Sequence, residues 1–290
     1  MTTRRPRVIV GCDGSVESEA ALKWAVDYTR ASNGGLTILS TWQWPTFQDA
    51  PINYGRYSPD DDCRSRVQRL RGTADLPADQ VDSTVVRGHP AHVLVDYSKE
   101  ADLVVVGSHG LGAISRLVLG SVSARVAMHA ECPVAIVRSR PSHGRHGVVV
   151  GVDDSAYARR ALRWAMDYAD LVKEPLRVVR AAEMPLHPLS RGHQAAFGVP
   201  PTEAGRQLTS WLDDLVDKEQ AERGCELKVG LRIGVLDGSP ARVMVEQSEQ
   251  AAVTVCGRRG SGGFQRLIIG SVASALAHHG RSTVVVTPAS

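Results

Sequence analysis

Two stretches of the chain space their glycines in a way that suits the binding of an anion. The first, GSHGLGAISRLVLGS, begins at Gly107, and the second, GRRGSGGFQRLIIGS, begins at Gly257. Both follow an apolar run, both have the pattern G-x2-G-x9-G-S, and in both the final Gly-Ser opens a segment of helical character. Backbone N–H groups at a helix N-terminus favour an anion, and glycine lets the backbone approach a phosphate closely. The pattern therefore predicts a phosphate-binding loop in two copies.

An aspartate follows the first apolar strand of each half of the chain. Asp13 comes shortly after RVIVG, and Asp153 shortly after VVVG. Ligands of open parallel sheets bind beyond the carboxyl ends of the strands, where the strand order reverses. Because the first and fourth strands both end there, we expect each aspartate to lie beside the glycines of its own half. Such a carboxylate can bind a ribose hydroxyl, a base or a metal, and Ser121 and Ser271 each add a hydroxyl donor.

The spacing does not support several other kinds of site. The chain contains no GxxxxGK[ST] loop, and its glycines lack the GxGxxG spacing of a classical dinucleotide site. Ser108 is not in a GxSxG elbow, so an α/β-hydrolase triad has no support. None of the ten histidines belongs to an HExxH motif or a Cys/His ligand pattern. We therefore predict neither a catalytic residue nor a metal ligand.

The elements that must position these residues also occur twice. GCDGSVESEAALKWAVDY from Gly11 and GVDDSAYARRALRWAMDY from Gly151 share Gly, Asp, Ser, Ala, Leu, Trp and Tyr in register. In each half, short β-branched runs alternate with helical periodicity, and Ser15 and Ser155 stand where a helix N-cap belongs. This alternation predicts an α/β fold with two tandem doubly wound, Rossmann-like domains, each built on a five-stranded parallel sheet.

Length and composition agree with two globular domains. A chain of 290 residues corresponds to about two domains, and the Pro-, Gly- and Ser-containing segment from Arg140 to Gly147 is typical of a linker. We place the first domain at residues 1–140 and the second at 146–290. The net charge of +3 is too small to indicate a nucleic-acid partner. The short apolar runs and the five scattered cysteines indicate a cytoplasmic protein with no membrane partner.

These features resemble those of tandem-domain universal stress proteins of the ATP-binding kind. The signature of that family is G-x2-G-x9-G-[ST], preceded by an aspartate after the first strand, and the resemblance covers nearly the whole chain. It implies that ATP binds with its phosphates on the glycine loop and its adenine near the first two strands. The first site that it implies comprises Asp13, Thr41, Gly107, His109, Gly110, Gly120, Ser121, Val122 and Ser123. The second comprises Asp153, Ala181, Gly257, Arg259, Gly260, Gly270, Ser271 and Val272.

The two implied sites differ at two positions, and three functions are compatible with them. Ala273 stands where the first half has Ser123, and Arg259 where it has His109. The first function is an ATP-binding stress-response regulator whose conformation or partner binding depends on nucleotide occupancy at two sites per chain. The second is an enzyme, either a slow ATP hydrolase or a nucleotide or phosphoryl transferase. The third is a scaffold that no longer binds nucleotide.

The regulator is favoured over the enzyme. A transferase needs a positioned base and usually a metal with several charged ligands, whereas one aspartate per site is evident here. The expected ligand is ATP or a related adenine nucleotide, with or without Mg²⁺. The resemblance further implies a homodimer, and the protein partner of such a regulator is not specified by the sequence.

Overall fold

The computed structural model describes residues 4–43, 58–111, 119–139, 144–183, 203–261 and 269–289. By internal contacts the chain divides into two compact units, Met1–Ser139 and Arg140–Ser290. Of the predicted linker, residues 140–143 lie outside the described part of the chain.

Unit 1 is a parallel sheet surrounded by helices. Its strands are β1 (Arg7–Gly11), β2 (Gly35–Trp42), β3 (Val81–Arg87), β4 (Leu103–Gly107) and β5 (Val134–Val137). Its helices are α1 (Val16–Ser32), α2 (Pro59–Thr73), α3 (Pro90–Tyr97) and α4 (Ser121–His129). The strand order is β3-β2-β1-β4-β5, and every neighbouring pair is parallel.

Unit 2 repeats this arrangement. Its strands are β6 (Val148–Gly151), β7 (Leu176–Ala182), β8 (Leu231–Asp237), β9 (Val253–Gly257) and β10 (Thr283–Thr287). Its helices are α5 (Ala156–Val172), α6 (Glu203–Arg223), α7 (Pro240–Gln247) and α8 (Ser271–His279). The order β8-β7-β6-β9-β10 is again all parallel. The predicted pair of α/β domains with five-stranded parallel sheets is confirmed.

Local sequence explains where these elements begin. Strand β4 is buried at every position, which suits its β-branched run LVVVG. The Ser15 hydroxyl accepts a hydrogen bond from the Ser18 amide and caps α1, and Ser155 caps α5 in the same way. Pro90 and Pro240 occupy the first turns of α3 and α7, where the missing N–H costs nothing.

The strand order reverses between β1 and β4. From β1 the chain proceeds outward through β2 and β3, and from β4 it proceeds in the other direction to β5. The two strands are direct neighbours, and each is followed by a helix that starts at the same edge of the sheet. In unit 2, β6 and β9 are related in the same way. A crevice beyond these strand ends is the expected ligand site of such a sheet.

None of the helices in the described ranges combines the length and the apolar character needed to cross a membrane.

Candidate functional site

The turn after β1 is organised by the carboxylate of Asp13. One carboxylate oxygen, Oδ1, accepts hydrogen bonds from the Ser15 amide at 2.9 Å and from the Ser15 hydroxyl at 2.6 Å. The other, Oδ2, accepts from the Leu111 amide at 3.0 Å. Burial acts to raise the pKa of Asp13, but the hydrogen bonds from Ser15 and Leu111 outweigh it and hold the pKa below its ordinary value. The site therefore contains an ionised carboxylate that joins the β1–α1 turn to the glycine loop.

Two glycines of the loop are required by the packing of the protein itself. A Cβ atom on Gly110 would lie 2.5 Å from Asp13 Oδ2, and one on Gly107 would lie 2.8 Å from the backbone carbon of Glu17 in α1. Both distances are far below van der Waals contact. In the structure these glycines make room for the Asp13 carboxylate and for helix α1, and their close approach to a phosphate stays a prediction.

The third glycine precedes the open end of a helix. Gly120 is the N-cap of α4, its amide donates to the Ser108 carbonyl at 2.8 Å, and no side chain caps the helix. The first-turn amides of an α-helix have no partner within the helix. Ser121 and Val122 therefore present backbone donors at the positive end of the helix dipole, which is the arrangement that binds anions.

Ser123 makes a hydrogen bond within the protein, and its contact with a ligand stays a prediction. Its hydroxyl is buried and donates to the carbonyl oxygen of Gly107 at 2.6 Å. The hydroxyl proton thus ties α4 to the end of β4. In unit 2 the equivalent Ala273 is also buried and supplies no such donor.

A cavity of about 460 Å³ opens at this junction in unit 1. All nine residues of the first predicted site line it: Asp13, Thr41, Gly107, His109, Gly110, Gly120, Ser121, Val122 and Ser123. The cavity has an apolar wall to which Leu39, Pro90 and Leu94 contribute. Its size and mixed lining are ordinary for a small-molecule site.

A positively charged side chain that the sequence did not predict for this site also lines the cavity. Arg66, in the middle of α2, lines the cavity together with the predicted residues. Nothing in the sequence distinguishes Arg66 from the other arginines of α2, which include Arg64, Arg69 and Arg71. Only the packing of α2 beside the β1–α1 turn brings this guanidinium to the site.

His109 is buried on the loop side of the site. Its Nδ1 lies 2.8 Å from the Ser108 hydroxyl, and its Nε2 is buried with no hydrogen-bond partner among the residues that the structure describes. A buried ring nitrogen without a partner is uncommon in proteins. His109 thus lines the cavity and has one ring nitrogen without a hydrogen-bond partner among the described residues.

The second predicted site has the same framework. Asp153 Oδ1 accepts from the amide and hydroxyl of Ser155, and Oδ2 accepts from the Ser261 amide at 2.7 Å and the Ser261 hydroxyl at 3.2 Å. A Cβ atom on Gly260 would lie 2.6 Å from Asp153 Oδ2, and one on Gly257 would lie 2.6 Å from Cβ of Tyr157. The carboxylate and the two glycines are thus arranged as in unit 1.

The remaining residues of the second site lie on β7, on the loop after β9 and on α8. Gly270 caps α8, its amide donates to the Arg258 carbonyl at 2.8 Å, and Ser271 begins the helix. The Cα atom of Arg259 is 3.3 Å from the position of a Cβ on Gly270. Ala181 and Val272 pack against one buried apolar cluster. The structure thus places all the predicted residues of this site at one edge of the sheet.

The electrostatics of the second loop differ from those of the first. Arg258 is half-buried, and its pKa is lowered by that burial and, to a smaller extent, by the neighbouring charge of Arg259. The first loop has Ser108 and His109 at the corresponding positions. Among the described residues of both units, no group of three His, Cys, Asp or Glu side chains is placed to hold a metal ion.

The model of the universal stress protein family matches residues 5–138 and again residues 144–288. The chain belongs to the universal stress protein family. Each match covers one of the two units, so the family fold is present twice in tandem.

Relatives of the same length support this assignment. The universal stress protein Rv2005c of Mycobacterium tuberculosis is 31% identical over 298 residues, which is 96% of each chain. Rv2623 of the same organism is 29% identical and covers 96% of this chain and 95% of its own. A universal stress protein from Archaeoglobus fulgidus has a similar fold, with a TM-score of 0.71 at 18% identity over 98% of this chain and 97% of that one.

Proposed function

We propose that each unit binds one adenine nucleotide, with ATP as the ligand, and that the chain acts as a stress-response regulator. Its conformation or its binding to a protein partner would depend on whether the two sites are occupied. The observation that carries the proposal is the cavity of about 460 Å³ in unit 1, which brings Asp13 together with the open N-terminus of α4.

The chemistry of this cavity matches the parts of a nucleotide. The first-turn amides of α4 and the adjoining Gly120 suit a phosphate group. The Asp13 oxygens accept from Ser15 and Leu111 and keep lone pairs that a ribose hydroxyl can use. The apolar wall near Leu39 and Leu94 suits a base. A single small molecule with all three parts would satisfy the site.

Binding is favoured over hydrolysis. Phosphoryl transfer requires a group that orients the attacking nucleophile and usually a metal with protein ligands. Asp13 is held by its hydrogen bonds to the protein, and the described residues provide no metal-binding group of three side chains. Any Mg²⁺ that accompanies ATP would be held mainly by the phosphates, as is common for this ion.

The first experiment is to identify nucleotide that co-purifies with the protein. The protein is denatured, the released small molecules are separated by chromatography, and adenine nucleotide is quantified per chain. Titration calorimetry with ATP, ADP and AMP then gives the stoichiometry, for which we expect two sites per chain. The matched control is the double variant Gly120→Asp/Gly270→Asp, which we expect to bind none. No heat and no thermal shift with any of the three nucleotides would overturn the proposal.

Regulation and turnover are tested separately. Hydrogen exchange should slow on addition of ATP at the Leu111 amide and in the first turn of α4, because both line the cavity in which the ligand is proposed to bind. Phosphate release measured over hours distinguishes a regulator from a slow hydrolase, since a regulator should return intact ATP. We further propose a cytoplasmic homodimer, which cell fractionation and light scattering after gel filtration would test. The amount of partner protein that binds should differ between the unsubstituted chain and the double variant.

A further inference from the structure

Arg66 lies across the turn that follows β1. A Cβ atom on Gly14 would be 3.0 Å from Arg66 Nε and 3.2 Å from Arg66 Cδ, so the side chain occupies the space that glycine leaves free. Gly14 has a φ of +90°, a conformation that other residues rarely adopt. Among the described residues, no carboxylate pairs with Arg66. Within the described part of the chain, the guanidinium is therefore a positive charge without an ion-pair partner in the wall of the cavity.

The structure shows no ion pair between the carboxylate of Asp13 and Arg66. Its two oxygens are engaged by Ser15 and by the amide of Leu111. The positive charge of Arg66 also acts on the thiol of Cys12, which lines the cavity. Burial raises the pKa of the Cys12 thiol to about 12, Asp13 acts in the same direction, and Arg66 opposes both.

Unit 2 treats the corresponding position differently. Asp154 stands where unit 1 has Gly14, because Asp154 follows Asp153 just as Gly14 follows Asp13 in the repeated turn. Its carboxylate accepts hydrogen bonds from Arg180 on β7, at 3.4 Å from Nη1 and 3.1 Å from Nη2. The Arg180 guanidinium also lies over the ring of Trp211, 4.1 Å from its centroid. The cation beside this turn is thus already paired within the protein.

We propose that Arg66 is a ligand-binding residue of the first site, where it contacts the phosphate chain of the nucleotide and makes affinity depend on the number of phosphates. Arg180 does not have this role in the second site. A half-buried guanidinium that has no ion-pair partner among the described residues is suited to an anionic ligand, and its planar array of donors matches phosphate oxygens. This inference rests on the proposed function, because it assigns a specificity-determining residue to the same site.

The test compares ATP with AMP at one site at a time. In chains whose second site is blocked by Gly270→Asp, titration calorimetry measures both ligands with and without Arg66→Gln. We expect Arg66→Gln to lower the affinity for ATP by about tenfold or more and the affinity for AMP by about threefold or less. The reason is that a charge-assisted hydrogen bond to the outer phosphates is lost only for ATP. Arg66→Lys should retain part of the preference for ATP, since it keeps the charge.

The matched control is Arg69→Gln, which removes the same charge from an exposed position on the same helix. We expect it to leave both affinities unchanged. In chains whose first site is blocked by Gly120→Asp, Arg180→Gln should change the ratio of ATP to AMP affinity by less than about twofold. Thermal unfolding without nucleotide confirms that each variant is folded.

Several results would overturn the inference while leaving the proposed function intact. Equal weakening of ATP and AMP binding by Arg66→Gln would show that Arg66 contacts the nucleoside or the α-phosphate, which both ligands share, and does not discriminate by the number of phosphates. An unchanged ATP affinity would show that it does not reach the ligand. If Arg69→Gln changed the two affinities as much as Arg66→Gln does, the effect of Arg66 would be one of general surface charge. Absence of ATP binding to the unsubstituted chain would instead overturn the proposed function.

Discussion

The substitution Gly120→Asp should separate ligand binding from stability at the first site. Gly120 is the N-cap of α4 and has an extended backbone, with φ of −64° and ψ of 145°. Aspartate is among the preferred N-cap residues, and its charge suits the helix dipole. The variant therefore places its own carboxylate where the phosphate is proposed to bind.

The expected magnitudes differ sharply for binding and for folding. A carboxylate about 4 Å from a phosphate charge costs about 4 kcal/mol at an effective dielectric constant near 20, which is about a thousandfold in dissociation constant. For the unliganded protein, capping and dipole effects contribute about 0.5–1 kcal/mol in favour of the variant. They are opposed by a close contact, because a Cβ on Gly120 lies 3.3 Å from the Ser108 carbonyl oxygen. The unliganded stability should therefore change by less than about 1 kcal/mol.

The assay combines calorimetry with thermal unfolding, with and without ATP. Gly120→Asp should remove one of two binding sites and leave the unfolding temperature without ATP nearly unchanged. Gly120→Asn is the matched control, because it adds a side chain of the same shape without the charge. If Asn and Asp reduced affinity equally, the loss would be steric and the electrostatic reasoning would be refuted. Normal ATP binding to the Asp variant at both sites would refute the placement of the phosphate at α4.

Three further predictions concern the framework of the first site. Gly110→Ala should lower the free energy of unfolding by about 1–3 kcal/mol through overpacking, because its Cβ would lie 2.5 Å from Asp13 Oδ2. In urea unfolding, adding Asp13→Ala should recover part of this loss. Equal stability of Gly110→Ala and the parent would contradict the prediction. Ser123→Ala should cost about 1 kcal/mol, since the buried Gly107 carbonyl loses its hydroxyl donor, and a urea midpoint equal to that of the parent would count against this. The lowered pKa of Asp13 contributes stability that is present above its unfolded pKa of about 3.9 and is lost as pH falls through the lower folded value. The free energy of unfolding in urea, measured from pH 5 to pH 3, should therefore depend less on pH in Asp13→Asn than in the parent. Identical slopes of this free energy against pH would show that the carboxylate does not contribute.

The sequence by itself determined the fold and its duplication. Strands and helices are encoded by short-range periodicity, and Ser15, Ser155 and the prolines of α3 and α7 mark helix starts through contacts within one turn. The G-x2-G-x9-G-S spacing identified both junctions because the glycines and the following helix are close in the chain. Parallel strands then bring the Asp13 turn and this junction to one edge of the sheet.

Only the tertiary structure decided what each of these residues contacts. Gly107 and Gly110 accommodate α1 and the Asp13 carboxylate, and the Ser123 hydroxyl is used by a backbone carbonyl. Arg66 enters the first site from a helix whose sequence has four similar arginines, whereas Arg180 pairs with Asp154. Such contacts join residues that are far apart in the chain, and angstrom-scale packing between helices and strands selects them. Residue type and local spacing carry no information at that scale.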